Sequence, residues 1–176
     1  MKTSGSITPS SKYLVQKCLD KVDFNQAKVL LEFGVGDGVI TEEILGKVNS
    51  ACRVIAIEIN ENLFTYSKKK FANAENLSLH LASALDFDQV LKKEGIEKVD
   101  YVISSLPLSF FSQEEIDDLF EKIPCHLSDE GAFIQYQYSI GKYGYLKKVF
   151  DKVSVDFTIR NAPPALIFTC MNLPIG

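Results

Sequence analysis

The chain predicts an α/β domain: a mostly parallel, doubly wound sheet of seven strands with helices on both faces and an antiparallel hairpin at its C-terminal end. Three observations predict it. Apolar strand-like runs alternate with helix-like segments along most of the 176 residues. The run Val29-Leu30-Leu31-Glu32-Phe33 leads into glycines at alternate positions, Gly34, Gly36 and Gly38. That reads as a buried first strand, a tight turn and the start of a helix. The last two apolar runs, Lys152–Ile159 and Ala165–Met171, have no room for a helix between them, so they pair antiparallel across Asn161-Ala162-Pro163-Pro164.

Each remaining element has its own signal. Ser10 or Ser11 can cap a helix to about Lys21, with Leu14, Cys18 and Val22 on one stripe beside Val15 and Leu19. Lys28–Phe33 is the first strand and Gly38–Val48 the helix after it. Cys52–Ile57 is the second strand, and Asn60 caps a helix to about Asn73. Leu77–Leu81 is a short third strand. Phe87–Glu94 is a helix stopped by Gly95. Val99–Ser104 is the fourth strand. Ser112-Gln113-Glu114-Glu115 is a capping box that opens a helix to about Ile123. Ala132–Tyr138 is the fifth strand and Tyr143–Phe150 a helix. No domain boundary is visible, so residues 1–176 read as one domain whose first 24 residues form an entrance helix. Lys68-Lys69-Lys70 ends a helix, where positive charge suits the dipole.

Composition bounds the function. The chain is 46% hydrophobic with a net charge of −4 and a pI of about 5.2. It is globular, and poorly suited to living on a phosphate backbone, so nucleic acid is not the expected partner. Cys18, Cys52, Cys125 and Cys170 are scattered without a C-x-x-C, as in a reduced cytoplasmic protein. No Cys/His cluster completes a metal site, so no metal is expected. His80 sits in an apolar alternating run and reads as structural. The first residues carry no apolar signal core and no stretch is long enough to span a bilayer. The expected location is the cytoplasm, at most peripheral on the inner face of a membrane.

The chemistry concentrates at the carboxyl ends of the strands, where ligands of such sheets bind. Glycines at 34, 36 and 38 let backbone approach a ligand closely with φ > 0. A dinucleotide fingerprint would need a third glycine at Val39, and no phosphate-cradling G-x-x-x-x-G-K-[ST] is present. Glu58 ends the second strand twenty residues after Gly38, where an acid accepts both ribose hydroxyls of a nucleotide.

The pattern E-x-G-x-G-x-G over Glu32–Gly38 resembles the first motif of Rossmann-like methyltransferases that use S-adenosylmethionine (SAM). That resemblance makes Glu32, Gly34, Gly36, Asp37, Gly38, Thr41, Glu58, Ile59, Ser83, Ala84 and Ser104 the expected cofactor surface. Many such enzymes place an acid after the third strand to accept the adenine amino group. Here the matching residue is Ser83, and Asp86 either substitutes for it or caps the next helix. After the fourth strand comes Ser104-Ser105-Leu106-Pro107-Leu108. An amine acceptor must present a free lone pair, and hydrogen-bond acceptors there orient it. Ser104 with the carbonyls of Leu106 and Pro107 can serve. The alternative is an ordinary Pro-containing loop that packs Phe110 and Phe111 inward.

The whole chain resembles bacterial phospholipid N-methyltransferases, which methylate phosphatidylethanolamine. The match runs in order through Gly5-Ser6-Ile7-Thr8-Pro9-Ser10-Ser11, Glu32–Gly38, Ser104–Leu108, Gln135-Tyr136-Gln137-Tyr138 and Asn161-Ala162-Pro163-Pro164-Ala165. The resemblance implies a SAM fold whose N-terminal helix lids the cofactor and touches the membrane. It also places Tyr138 near the lipid headgroup, against the plain reading of a half-buried strand aromatic. Two departures stand out: Ser105 where the family has glycine, and Ser83 where it has an acid. The more distant resemblance is to ribosomal RNA adenine dimethyltransferases. Their Asn-Leu-Pro-Tyr ends in an aromatic that stacks on a flipped base, and this chain has Leu108 there.

Overall fold

Seven apolar runs pair into a single sheet. The computed structural model describes residues 12–158 and 164–172. The strands are β1 (Val29–Phe33), β2 (Arg53–Glu58), β3 (Leu77–Leu81), β4 (Val99–Ser104), β5 (Leu127–Gln137), β6 (Lys152–Thr158) and β7 (Ala165–Met171). The helices are α1 (Lys12–Leu19), α2 (Val39–Leu45), α3 (Glu61–Lys70), α4 (Phe87–Lys93), α5 (Gln113–His126) and α6 (Tyr143–Val149). Strand order is β3-β2-β1-β4-β5-β7-β6. β7 runs antiparallel to both β5 and β6, and the other pairs are parallel. The order turns at β1/β4, and that is where a doubly wound sheet opens a crevice.

Side chains alternate across each strand, so one core forms on each face. Leu30, Val54, Ile103 and Ile134 meet α1 and α2 through Leu14, Val15, Leu19, Ile40 and Ile44. Leu31, Phe33, Ile55, Val102 and Phe133 meet α4, α5 and α6 through Phe87, Leu91, Ile116, Phe120 and Leu146.

α1 spends its apolar stripe on this core: Leu14, Val15 and Leu19 are buried. Exposing those three would cost roughly 5–9 kcal/mol at the usual value per buried side chain, which is comparable to the stability of a whole domain. The described part of the entrance helix is therefore a fixed core element, and it turns Lys12 and Gln16 outward. The expected entrance motif before Lys12, the Ser10 or Ser11 cap and the Asn161–Pro163 link lie outside the described residues.

Several boundaries differ from the sequence reading, three of them at α5 and β5. α5 runs through Pro124 to His126. A proline forfeits only its own N–H, and near a helix end that loss is local. β5 begins at Leu127 rather than Ala132, after a shift in its register with β4 between Val99 and Tyr101. Gly131 sits at that irregularity, where a Cβ would come within 2.9 Å of the Ser128 carbonyl oxygen. Tyr138 falls just past the end of β5.

Candidate active site at the β1/β4 crevice

The glycine turn is built by backbone geometry. Gly34, Gly36 and Gly38 all have positive φ, at 78°, 59° and 79°. The Gly34 N–H continues the ladder to the Ile57 carbonyl at 2.9 Å, and the Gly38 N–H closes on the Val35 carbonyl at 2.9 Å. A Cβ on Gly38 would lie 2.7 Å from the Phe71 ring, whereas one on Gly36 would meet nothing within 4 Å. Gly36 thus leaves an open cradle beside the strand ends, and Gly38 serves close packing. Lys70 covers the outer side of the turn: its Nζ donates to the Asp37 carbonyl at 3.3 Å and to Glu42 at 2.9 Å. The sequence reads the lysine run as a helix terminus, and the signal for this role is tertiary.

Two carboxylates stand under the turn. Glu58 is buried and holds it: Oε2 accepts from the Gly36 N–H at 2.9 Å and Oε1 from the Asn60 N–H at 2.8 Å. Each oxygen keeps a further lone pair, so the same carboxylate can still accept ribose hydroxyls. Glu32 is 1% exposed. Its Oε2 accepts from the Thr41 hydroxyl at 2.7 Å, while Oε1 has no partner. Burial pushes its carboxyl up from 4.5 to about 8; the Thr41 bond opposes that rise and the charge of Glu58 adds to it. A buried acid with an orphaned oxygen is costly unless a ligand meets it. A ligand carrying positive charge fits this one.

The ends of β2 and β3 are more open. Ile59 is 72% exposed and Leu81 46% exposed, at the ends of β2 and β3. Ser83 caps a short 3-10 turn by accepting from the Leu85 N–H at 3.2 Å. Ala84 is buried behind it. Asp86 is exposed at the first position before α4 and makes no capping bond to the helix backbone.

The loop after β4 lies across the crevice. Phe33 and Ser104 are partners in the β1/β4 register, and Ser104 and Gln135 in β4/β5. Ser104 is buried, and its Oγ accepts from the Leu106 N–H at 3.3 Å. The Leu106 carbonyl accepts from Gln135 Nε2 at 2.9 Å, and the Pro107 carbonyl from the Phe110 N–H at 2.9 Å. Both carbonyls were expected to be free for an amine. Each already holds one hydrogen bond and keeps one lone pair.

Gln135 was quoted in the sequence without a role. It is fully buried, and its Nε2 also reaches the Tyr136 carbonyl at 2.6 Å, while Oε1 has no partner. A lone amide inside the apolar run Phe133–Tyr136 was the signal that could have singled it out. Phe110 is 59% exposed, against the reading that packed it inward, whereas Phe111 is partly buried against the core. Tyr138 is 44% exposed, with its ring 6.3 Å from that of Tyr136.

The chain as a whole has known relatives. The sequence model of a family described as a methyltransferase domain matches residues 30–131. The chain belongs to this methyltransferase family. An ornithine lipid N-methyltransferase of Singulisphaera acidiphila is 33% identical, covering 94% of this chain and 86% of the relative. Ribosomal RNA small subunit methyltransferase A of Mycoplasma capricolum is 31% identical over 68% of this chain, and the chain spans only 46% of that relative. Among solved structures, precorrin-6y C5,15-methyltransferase of Geobacter metallireducens superposes with a TM-score of 0.72 at 16% identity, covering 97% of this chain and 93% of that one. At that identity the likeness shows the fold.

The chain is thus a SAM-dependent methyltransferase with a Rossmann-like fold. The open cradle at Gly36 and the orphaned Glu32 oxygen fit the cofactor's polar and cationic end. No helix among the described residues is long and apolar enough to cross a membrane.

Proposed function

We propose that this methyltransferase acts on the primary amine of a zwitterionic lipid headgroup, of the phosphatidylethanolamine or ornithine-lipid kind, at the cytoplasmic face of a membrane. The observation that carries this reading is the relationship to a lipid N-methyltransferase along 94% of the chain. The site supports it. Phe110, Tyr138 and Ile140 are exposed on the two loops that follow β4 and β5. Gln135 on β5 holds the Leu106 carbonyl of the first loop, and Lys142 of the second donates to Gln113 at the start of α5 at 3.4 Å. An apolar rim beside a polar crevice suits an amphiphile. Membrane contact is assigned to this rim, because the apolar stripe of α1 is spent on the core.

The cofactor supplies a methyl group already activated on a sulfonium. The protein's task is alignment and exclusion of water. The hydroxyl hydrogen of Ser105 is spent on the Gly34 carbonyl at 2.8 Å. Its Oγ can therefore only accept from an amine N–H. The remaining lone pairs of the Leu106 and Pro107 carbonyls do the same. Acceptors on the N–H groups leave the nitrogen lone pair free for in-line attack. The bond to carbon forms as the carbon–sulfur bond breaks, and the new ammonium sheds its proton to solvent at the rim.

The alternative is an RNA adenine acceptor. Leu108 opposes it: it stands where an aromatic would stack on the base, and it is buried in the core at 1% exposure. The deciding experiment transfers labelled methyl from SAM into a total cell extract, then separates lipid, RNA, protein and small molecules. Label in lipid is the expected result. Label in RNA overturns the lipid reading and leaves the methyltransferase assignment intact.

A further inference from the structure

The two loops of the site leave the sheet side by side, because Phe33 and Ser104, the last residues of β1 and β4, are register partners. The first residues beyond them are Gly34 and Ser105. The Ser105 N–H donates to the Phe33 carbonyl at 3.1 Å, an ordinary continuation of the ladder. Its side chain adds something the ladder does not need. Ser105 Oγ shares its hydrogen between the Gly34 carbonyl at 2.8 Å and the Phe33 carbonyl at 3.3 Å. It also occupies the space a side chain on Gly34 would need: a Cβ there would stand 2.8 Å from Ser105 Oγ and 3.4 Å from a Leu106 methyl.

From that point the connection runs on. Leu106 follows Ser105 and is held at both ends of its backbone, by the Ser104 hydroxyl on its N–H and by Gln135 on its carbonyl. A continuous path of hydrogen bonds and backbone therefore joins Gly34 in the glycine turn to Gln135 on β5. A glycine at position 105 would keep the backbone bond to the Phe33 carbonyl but lose the direct link to the Gly34 carbonyl, because it has no hydroxyl to donate.

We infer that Ser105 is a positioning residue that locks the cofactor turn to the acceptor loop, so that filling the turn orders the loop that will hold the amine. The inference rests on the cofactor reading of the glycine turn. It assigns to the hydroxyl a coupling that neither the turn nor the loop has alone. Networks with shared partners couple in this way, and distant independent sites do not. Order imposed on one segment by a ligand lowers the ordering cost of the next.

The test compares wild type with Ser105→Ala, Ser105→Gly and Ser105→Thr. S-adenosylhomocysteine (SAH) binding is read by calorimetry. Hydrogen exchange of the Leu106 and Phe110 amides is read with and without SAH. Wild type should show slower exchange at both amides when SAH is bound. Ser105→Ala and Ser105→Gly should bind SAH about three- to tenfold more weakly, the usual yield of one hydrogen bond, and should lose the SAH-dependent protection. Ser105→Thr, which keeps the hydroxyl, should retain both. Thermal midpoints identify any variant that fails to fold. SAH binding with full loop protection in Ser105→Ala and Ser105→Gly would overturn the lock alone. Failure of wild type to bind SAH would overturn the cofactor reading, and the lock with it.

Discussion

The glycine turn after β1 and the loop after β4 leave the same edge of the sheet, yet they hold their shapes by different means. The turn depends first on backbone freedom at three glycines, braced by one acid at the end of β2, Glu58, bonded to Gly36 and Asn60. The loop after β4 depends on partners from other strands: Gly34 and Phe33 for Ser105, and Gln135 for Leu106. The first region is therefore a module that many proteins can reuse for one cofactor. The second can be retuned by single side chains, which suits a part that selects among acceptors. The comparison predicts that substitutions in the turn act on cofactor binding, whereas those in the loop beyond the Ser105 link act chiefly on transfer.

The largest effect belongs to Gly36→Val. A β-branched residue at φ 59° is strained, and its side chain would fill the cradle that the glycine leaves open. No atom lies within 4 Å of the added Cβ, so the fold should survive. SAH affinity should fall below detection in calorimetry while the circular dichroism spectrum stays native. Binding at wild-type affinity would remove the turn from the cofactor site.

Glu58→Ala comes next. It deletes two charge-assisted bonds to backbone, each worth about 1.5–3 kcal/mol. SAH affinity should drop roughly tenfold or more. The thermal midpoint should fall too, because the acid also braces the apo turn. An unchanged affinity would place the ribose elsewhere.

The same comparison explains what the sequence disclosed. The turn was legible because its signals are local: glycine spacing, an acid at a strand end, and an apolar run before each. The mostly parallel sheet with its antiparallel end followed from alternation and the short final hairpin. The loop after β4 was not legible in that way. Residue types proposed Ser104, Leu106 and Pro107, but the bonds that tie their loop to the rest of the site, Leu106 to Gln135 and Ser105 to Gly34, join chain-distant positions. Gln135 stands 29 residues from Leu106. Lys70 and Phe71 reach the turn from 33 residues beyond Asp37 and Gly38, and only folding reveals them. The end of α5 and the start of β5 fall elsewhere than expected because a proline near a helix end, Pro124, and a glycine at a register shift, Gly131, are tolerated by tertiary context.

Gln135→Leu tests the loop side. Leucine keeps the buried volume but leaves the carbonyls of Leu106 and Tyr136 without their donor. The loop should lose its fixed carbonyl rather than the cofactor its site. Turnover on phosphatidylethanolamine vesicles should fall about tenfold, the cost of one misplaced orienting contact, with SAH affinity within a factor of about two of wild type. An equal loss in SAH binding would mean that the two halves do not divide as argued.

The smallest effect is a proton. Glu32 belongs to the cofactor half, and its folded carboxyl is raised from 4.5 to about 8 chiefly by burial. Between those values the native chain keeps a proton that the unfolded chain has lost. Stability of the free protein should therefore decline as pH rises from about 4.5 to about 8, and level off beyond. Glu32→Gln, which cannot ionise, should flatten that slope. A cationic ligand reverses the preference, because positive charge beside the orphaned oxygen favours the carboxylate. SAM binding near pH 7 should then expel up to about one proton from wild type and none from Glu32→Gln. Calorimetry in two buffers of different ionisation heat reads this directly. Identical binding heats in both buffers for wild type would show that the cofactor's charge does not reach Glu32. The acid would then be a structural partner of Thr41, and the cationic end of SAM would have to be held by the turn alone.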